Sequence, residues 1–261
     1  MKPKILLGPA GNCAGGILES LHRLKELGLD CQEVEFTYGV KMQNSLAKEA
    51  GELAKELGIA LSVHAPYYVN LSSENKKKVE ASKSRIMMSC ERGNYLGATA
   101  IVFHAGFYQG RTKEQTYEII KEALVDLQAR IKEKGWHVKL APETTGKASQ
   151  FGDLDELLHL RKETKCELCV DFAHLRARQN GKIDYDEVFG KLKGIPHLHC
   201  HFSGIEFTAK GERRHLDMKE DEIKELLKAI VKHKQDCTII SESPITWEDS
   251  LKMKKILESL H

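Results

Sequence analysis

Short apolar runs rich in β-branched residues alternate along the chain with longer amphipathic segments. After the first run, leucines recur at every third residue from Leu18 to Leu27, which places an apolar stripe on one face of a helix. Gly28 then ends that helix. The same unit recurs eight times. Strands are predicted near residues 4–9, 31–36, 61–64, 99–103, 137–141, 166–170, 197–201 and 237–241. Helices are predicted near residues 18–27, 43–57, 74–96, 112–134, 153–161, 185–192, 219–233 and 247–260.

This strict alternation of strands and helices indicates a parallel sheet, because each helix carries the chain back to the start of the next strand. Eight repeats within 261 residues, with no linker or low-complexity tract between them, favour a closed barrel over an open doubly wound sheet. The sequence therefore predicts an α/β fold with a single (β/α)8 TIM-barrel domain over residues 1–261.

Composition sets the broad class of the protein. Hydrophobic residues make up 41% and charged residues 30%, which is typical of a soluble globular chain. The net charge of +2 is too small to indicate nucleic-acid binding by the protein as a whole. Such binding would need a local basic face. Seven cysteines without a secretory signal predict a reduced, cytoplasmic location. No apolar run approaches the ~20 residues of a membrane span.

Six of the predicted strands carry a histidine or a carboxylate at or near their carboxyl ends. In chain order these residues are His64, His104, Glu143, Asp171, His199 and Glu242, and His174 follows three residues after Asp171. In a TIM barrel the carboxyl ends of all strands meet at one mouth, where the active site lies. We therefore expect these side chains to converge.

One such histidine is more often a hydrogen-bonded core residue, and one such acid more often a helix cap. Burying six such side chains together in a barrel mouth that excludes water would be costly unless cations balanced the carboxylates. Histidines and carboxylates together suit Zn²⁺, with Mn²⁺ or Fe²⁺ as alternatives. The ligands are too many for one ion, so two or three are expected, with Glu143 or Asp171 placed to bridge them. Such ions could hydrolyse a phosphodiester or hold the hydroxyls of a sugar.

Several short motifs surround these residues. They are His64-Ala65-Pro66-Tyr67-Tyr68-Val69-Asn70, Phe103-His104-Ala105-Gly106, Glu143-Thr144-Thr145-Gly146, Asp171-Phe172-Ala173-His174 and Glu242-Ser243-Pro244. With His199, they resemble the motifs of the endonuclease IV family of apurinic/apyrimidinic endonucleases, within the xylose-isomerase-like barrel superfamily. The likeness extends over nearly the whole chain.

The resemblance implies a set of roles. His64, His104 and Glu143 would bind one zinc, a second would lie among Glu143, Asp171, His199 and Glu242, and His174 would help to hold a third. The implied reaction is hydrolysis of the phosphodiester 5′ to an abasic site in DNA, with Glu143 and Glu242 as catalytic residues. Tyr67 would contact the DNA. Apart from the resemblance, Arg213 in the basic loop from Phe202 to Asp217 is a candidate for a phosphate contact, and we expect the protein to be a monomer.

One departure from the family pattern and two competing functions keep alternatives open. The family completes its third zinc site with an acid and a histidine two residues apart, whereas Glu212 and His215 are three apart. Either residue could serve there, or the site could be empty. The chief alternative is a sugar isomerase or epimerase that binds one metal ion through Glu143, Asp171, His199 and Glu242. Glu35, at the end of the second strand, also favours this alternative. His64, His104 and His174 favour the nuclease. A DNA-binding protein with structural metals is a third alternative.

Overall fold

Strands and helices alternate in the computed structural model, which describes residues 2–260. The strands are β1 (Ile5–Pro9), β2 (Cys31–Glu35), β3 (Ala60–His64), β4 (Ile101–Phe103), β5 (Gly106–Phe107), β6 (Leu140–Pro142), β7 (Gln150–Phe151), β8 (Cys169–Asp171), β9 (Leu198–Phe202), β10 (Gly204–Thr208), β11 (Gly211–Leu216) and β12 (Cys237–Ser241). The helices are α1 (Ile17–Leu27), α2 (Asn44–Leu57), α3 (Lys76–Leu96), α4 (Lys113–Glu133), α5 (Leu154–Thr164), α6 (Phe172–Arg178), α7 (Tyr185–Leu192), α8 (Glu220–His233) and α9 (Thr246–Ser259).

Eight of these strands form a closed parallel barrel. One half has the order β1-β12-β9-β8 and the other β2-β3-β4-β6. Parallel bridges between Ala10 and Glu33 and between Glu143 and Cys169 join the two halves. The predicted TIM barrel is therefore confirmed, and the mouth lies at the carboxyl ends of the eight strands.

The apolar core lies mainly between the barrel and its helices, in two large clusters, one for each half of the barrel. A much smaller apolar group, Ala100, Val102, Ala141 and Cys169, forms a separate cluster on β4, β6, β8 and the residue before β4. Buried polar side chains on β2, β3 and β9 accompany it, among them Glu33, Ser62 and His199. A polar barrel interior is costly unless its groups are paired, so this composition is the first structural sign of a site.

Local signals account for most helix ends. The residues after α1, α2 and α3 are Gly28, Gly58 and Gly97, with φ of 65°, 73° and 66°, a left-handed conformation that glycine adopts without steric cost. The helices α4 and α5 begin with capping boxes on Thr112 and Asp153. Among residues 2–260 no helix has both the length and the apolar character needed to cross a membrane.

Besides the short antiparallel pair of β5 and β7, two parts of the structure were not predicted. The helix α6 follows β8 directly, because the Asp171 side chain accepts a hydrogen bond from the backbone N–H of His174 and caps it. The segment from Gly204 to Leu216 lies between the strand predicted near residues 197–201 and the helix predicted near residues 219–233, and it forms the antiparallel hairpin β10–β11. Both elements lie beside the mouth and add residues to the site.

Candidate metal centre

Glu143 lies at the centre of the mouth, directly after β6, and its side chain is fully buried. Its Oε2 is 2.9 Å from Nε2 of His104 and 3.1 Å from Nε2 of His64. Its Oε1 is 3.2 Å from Nδ1 of His174 and 3.3 Å from Nδ1 of His201. The two carboxylate oxygens therefore face different sets of imidazoles.

Three groups of metal-ligand residues surround Glu143, and within each group the ligand atoms lie within 4.8 Å of one another. The first group is His64, His104 and Glu143; the second is Glu143, Asp171, His201 and Glu242; the third is Asp171, His174 and His215. Because Glu143 belongs to the first two groups and Asp171 to the last two, the groups form one continuous cluster.

The first group is set by the ends of two adjacent strands. His64 is the last residue of β3, and its Nδ1 lies 2.7 Å from the carbonyl oxygen of Ala65. With Nδ1 donating to that carbonyl, Nε2 is left free to face Glu143. His104 follows β4, and its side chain is about one-fifth exposed. The sequence predicted both histidines, and the structure brings them together with Glu143.

Asp171 gives a direct test of whether the cluster suits metal ions. Its Oδ1 caps α6 by accepting from the backbone N–H of His174 at 2.7 Å. Its Oδ2 is buried and accepts no hydrogen bond within the described residues, although Nδ1 of His174 lies 3.3 Å away. A buried carboxylate oxygen without a hydrogen bond is costly, and a cation would satisfy it. The donor set of carboxylates and imidazoles fits Zn²⁺, Mn²⁺ or Fe²⁺.

The structure places His201, and not the predicted His199, among the ligands of the second group. Nδ1 of His201 is 3.2 Å from Oε1 of Glu242. His199 lies two residues earlier on the same strand face and therefore deeper in the barrel, where its Nε2 contacts Oε2 of Glu33 at 2.8 Å. Histidine at every second position from His197 to His201 was the available signal, since the last of them stands nearest the mouth.

The hairpin β10–β11 supplies the remaining part of the third group. Glu206 pairs with Arg214 and Phe207 with Glu212, so Arg213 is an extra residue on β11 and forms a β-bulge. A bulge lets residues three apart face the same side. Oε2 of Glu212 accordingly lies 3.4 Å from Nε2 of His174, and the rings of His174 and His215 are 5.4 Å apart. Both candidates from the sequence, Glu212 and His215, therefore reach this group.

The electrostatics of the cluster favour positive charge. Burial opposes ionisation of Glu242, but the charge of His201 lowers its pKa to about 2. The pKa of Glu143 is also held well below its usual range, mainly by His104 and His201 against the effect of burial. Burial likewise opposes the charge on His64, yet the hydrogen bond to Glu143 raises its pKa to about 10. Metal ions would supply this positive charge and leave the imidazoles neutral, as ligation requires.

A cavity of about 490 Å³ opens between β2 and the loops after β1 and β2, and Glu35 and Tyr38 line it. Glu35 also lies within a possible ligand group with Glu33 and Glu242. Burial raises the pKa of Glu35 to about 8, and one of its oxygens has no hydrogen-bond partner in residues 2–260. The cavity thus joins the metal centre through a carboxyl group that carries a proton at neutral pH.

The rim presents both predicted substrate-contact residues. Tyr67 is 51% exposed, and its ring packs edge-on against Tyr38 at 5.7 Å and Tyr68 at 5.5 Å. Arg213 is largely exposed on the hairpin, where its Nη1 donates to Glu206 at 2.7 Å. An aromatic row and a basic hairpin therefore flank the same mouth.

These features define a class of protein, a TIM barrel with a cluster of potential metal ligands at its mouth. The model of the family described as xylose isomerase-like TIM barrel matches residues 21–259. The chain therefore belongs to the xylose isomerase-like TIM barrel family, and proteins named endonuclease 4 are among its relatives, as the motifs predicted.

Two relatives illustrate the likeness in sequence. The chain is 38% identical over 250 residues to an uncharacterized protein of Methanocaldococcus jannaschii, covering 91% of this chain and 90% of that protein. It is 30% identical over 222 residues to a probable endonuclease 4 of Metamycoplasma arthritidis, covering 78% of this chain and 76% of that protein.

Solved structures with the same fold have names that indicate two different activities. Endonuclease IV from Thermus thermophilus matches with a TM-score of 0.73 and 19% identity over 98% of both chains. A D-tagatose 3-epimerase-like protein matches with a TM-score of 0.74 and 20% identity, covering 99% of this chain and 96% of that one. At these identities the matches establish the fold alone.

Proposed function

We propose that this protein is a metal-dependent endonuclease that hydrolyses the phosphodiester 5′ to abasic sites in DNA, as in base-excision repair. The observation that carries the proposal is the position of Glu143, whose two oxygens face the imidazoles of different ligand groups. A site for one metal ion would not need His64 and His104 as ligands. The relatives named probable endonuclease 4 support the same conclusion.

Two or three ions would be held by the three ligand groups, with Zn²⁺ as the preferred metal and Mn²⁺ or Fe²⁺ as alternatives. Glu143 would connect the first ion to the second, and Asp171 would connect the second to the third. When bound, such ions activate a water molecule and neutralise the charges of the entering and leaving oxygens of a phosphodiester.

The protein's own contribution is to orient the reactants and to accept a proton. Glu242 is ionised at neutral pH, because its pKa is about 2. Its carboxylate, about 15% exposed, could therefore accept a hydrogen bond or a proton from a water molecule at the open side of the cluster. Glu143 is fully buried and would hold the ions of the first and second ligand groups.

The rim would bind the DNA on both sides of the cut. Tyr67 stands exposed beside Tyr38 and Tyr68, so this row could insert into or stack against a duplex whose abasic nucleotide is turned out of the helix. Arg213 and Arg214 would contact phosphates after exchanging their ion pairs with Glu206. With a net charge of only +2, affinity must come from such local contacts.

The test is incubation of the purified protein with a duplex that carries one abasic site, with and without a chelator. We expect a cut 5′ to the lesion with a 3′-hydroxyl end, loss of cleavage after chelation, and recovery when Zn²⁺ is restored. An undamaged duplex of the same sequence is the control. No cleavage by a metal-loaded protein would overturn the proposal.

A sugar epimerase is the second candidate, and one observation favours it. The cavity beside the second ligand group is large enough for a small ligand, and protonated Glu35 could hydrogen-bond a hydroxyl there. One bound ion per chain and turnover of a ketose would support the epimerase. Two or three ions with cleavage of the abasic duplex would support the nuclease.

A further inference from the structure

We propose that Glu33, held by Ser62 and His199, is a positioning residue that fixes the His201 imidazole with its Nδ1 toward the second ligand group. The inference rests on the proposed function in one respect, namely that the second group binds a metal ion. Neither Glu33 nor His201 was predicted from the sequence as part of the site.

Glu33 lies on β2, inside the barrel and completely buried. Its Oε2 accepts a hydrogen bond from the hydroxyl of Ser62 at 2.6 Å and lies 2.8 Å from Nε2 of His199. Its Oε1 lies 2.8 Å from Nε2 of His201, an ion-pair contact that lacks hydrogen-bond geometry, and neither atom has a hydrogen-bond partner among residues 2–260. One oxygen is thus anchored by two neighbours, and the other is directed at a single ring.

The His201 ring connects this carboxylate to the metal centre. On the side opposite Glu33, its Nδ1 lies 3.2 Å from Oε1 of Glu242 and 3.3 Å from Oε1 of Glu143. The ring is completely buried between the two sets of carboxylates. A tilt that improved one contact would therefore lengthen the other, so the position of Glu33 determines where Nδ1 points.

His201 is held differently from three other imidazoles of the cluster. Nδ1 of His64, His174 and His215 each lies within 3.1 Å of a backbone carbonyl oxygen, which leaves Nε2 for a metal ion. His201 is reversed, with Nδ1 toward the ligand group and Nε2 toward a side-chain carboxylate. A metal-binding histidine whose second nitrogen faces a carboxylate is oriented by it and becomes a stronger ligand.

His199 explains why a carboxylate can be buried at this depth. An isolated buried carboxylate is costly, but Glu33 has Ser62 and two imidazoles around it. Those partners lie within 2.8 Å of the two carboxylate oxygens of Glu33. His199, which the sequence suggested as a ligand, is thereby assigned a supporting role.

The test measures metal binding by the metal-free protein, using competition with a chromophoric zinc chelator. In Glu33→Gln the ring keeps an acceptor of similar size but loses the charge. We expect one ion to bind about 10–100-fold more weakly and the remaining ions to bind as in the wild type. Histidine ¹⁵N resonances should also show that Nδ1 of one imidazole loses its zinc-bound shift. A purely structural role for Glu33 would weaken all ions together or none.

Glu167→Gln is the matched control, because Glu167 is a partly exposed, ion-paired glutamate before the amino end of β8, at the opposite end of the barrel from the mouth, and should leave every ion unchanged. If Glu33→Gln does not fold, Ser62→Ala removes one anchor of Glu33 and should weaken the same ion to a smaller extent. Unchanged binding in the folded variants would overturn the inference while the proposed function stands. A wild-type protein that binds no metal would instead refute the proposed function.

Discussion

At the scale of single residues, Glu143 is the ligand on which the proposed chemistry depends most. Substitution to Gln keeps the volume but replaces one anionic oxygen by an NH₂ group, which cannot ligate a metal. We expect the number of ions per chain to fall by at least one and cleavage to fall by more than the roughly 10–100-fold typical of outer-shell substitutions. Metal analysis and cleavage of an abasic duplex measure the two effects.

Glu258→Gln is the control for that substitution, because Glu258 is exposed near the end of α9. It should bind the wild-type number of ions and cleave at the wild-type rate. Wild-type activity in Glu143→Gln itself would contradict the bridging role.

The ligands that could be read from the sequence share one property, which is that each closes or directly follows an apolar strand. His64 and His104 were recognised in this way. Glu33 and His201 were not, because each is one of two alternating polar residues on its strand, with Glu35 and His199. Period-two alternation identifies the face of a strand but not the depth along it. Depth depends on the barrel's register, which only the folded structure supplies.

At the scale of secondary-structure elements, the hairpin β10–β11 should determine whether the third ligand group forms. At Gly211, where φ is 96°, an added Cβ would lie 2.3 Å from the carbonyl oxygen of Gly146. In Gly211→Ala the hairpin must move away from the loop after β6, and Glu212 moves with it. We expect loss of the third ion, retention of the first two, and a free energy of unfolding lower by roughly 1–3 kcal/mol.

Metal content and denaturant unfolding measure these effects. Gly58→Ala introduces the same left-handed strain, with φ of 73°, but its Cβ would meet nothing within 4 Å. It should therefore lose some stability and keep all its ions. A full set of ions in Gly211→Ala would show that the hairpin does not position the third group.

The hairpin also carries the predicted phosphate contact, which salt dependence can test. Arg213→Ala should weaken binding to abasic and undamaged duplexes alike and lower the slope of log K against log salt concentration by about 0.9. Lys134→Ala is a suitable control, because Lys134 is exposed at the end of α4, away from the mouth. Equal salt slopes for Arg213→Ala and the wild type would remove Arg213 from the DNA interface.

There is a physical reason why α6 and the hairpin were not predicted from the sequence. The helix α6 has only seven residues, too few for a clear apolar periodicity, and the capping Asp171 also served as a strand end. The strands of the hairpin are polar and partly exposed, so they lack the alternation of buried and exposed residues. Its bulge at Arg213 also made Glu212 and His215 look one residue too far apart.

At the scale of the whole molecule, the barrel itself was predictable because its repeat is long and regular. Eight strand–helix units dictate parallel pairing, and parallel closure brings six distant strand ends to one mouth. The topology alone therefore predicts that the ligand residues lie close together, without any knowledge of side-chain positions. The energetic consequence is that several carboxylates and imidazoles are buried together, so the stability of the whole chain becomes linked to pH and metal.

The metal-free protein should lose stability as pH rises from 6.5 to about 10, the opposite of what paired carboxylates alone would produce. Burial opposes a charge on His64, but its hydrogen bond to Glu143 raises the pKa from 6.5 to about 10. The stabilisation is full below pH 6.5 and is lost as the pH approaches 10. Burial raises the pKa of Glu35 from 4.5 to about 8. The folded protein therefore also loses stability as the pH rises from 4.5 to about 8, a range that overlaps with that of His64.

Thermal unfolding of the metal-free and zinc-loaded protein at several pH values tests this linkage. We expect the Tm of the metal-free form to fall with rising pH, by roughly 2–4 °C for each kcal/mol lost in a chain of this size. Zinc needs neutral imidazoles, so the gap between the two forms should widen over the same range. Glu35→Gln should reduce the fall below pH 8, and it should also reduce the His64 part, because the charge of Glu35 helps to raise the pKa of His64. A metal-free Tm that stays level or rises would mean that the mouth does not hold His64 as a cation. The imidazoles would then be neutral before any metal arrives.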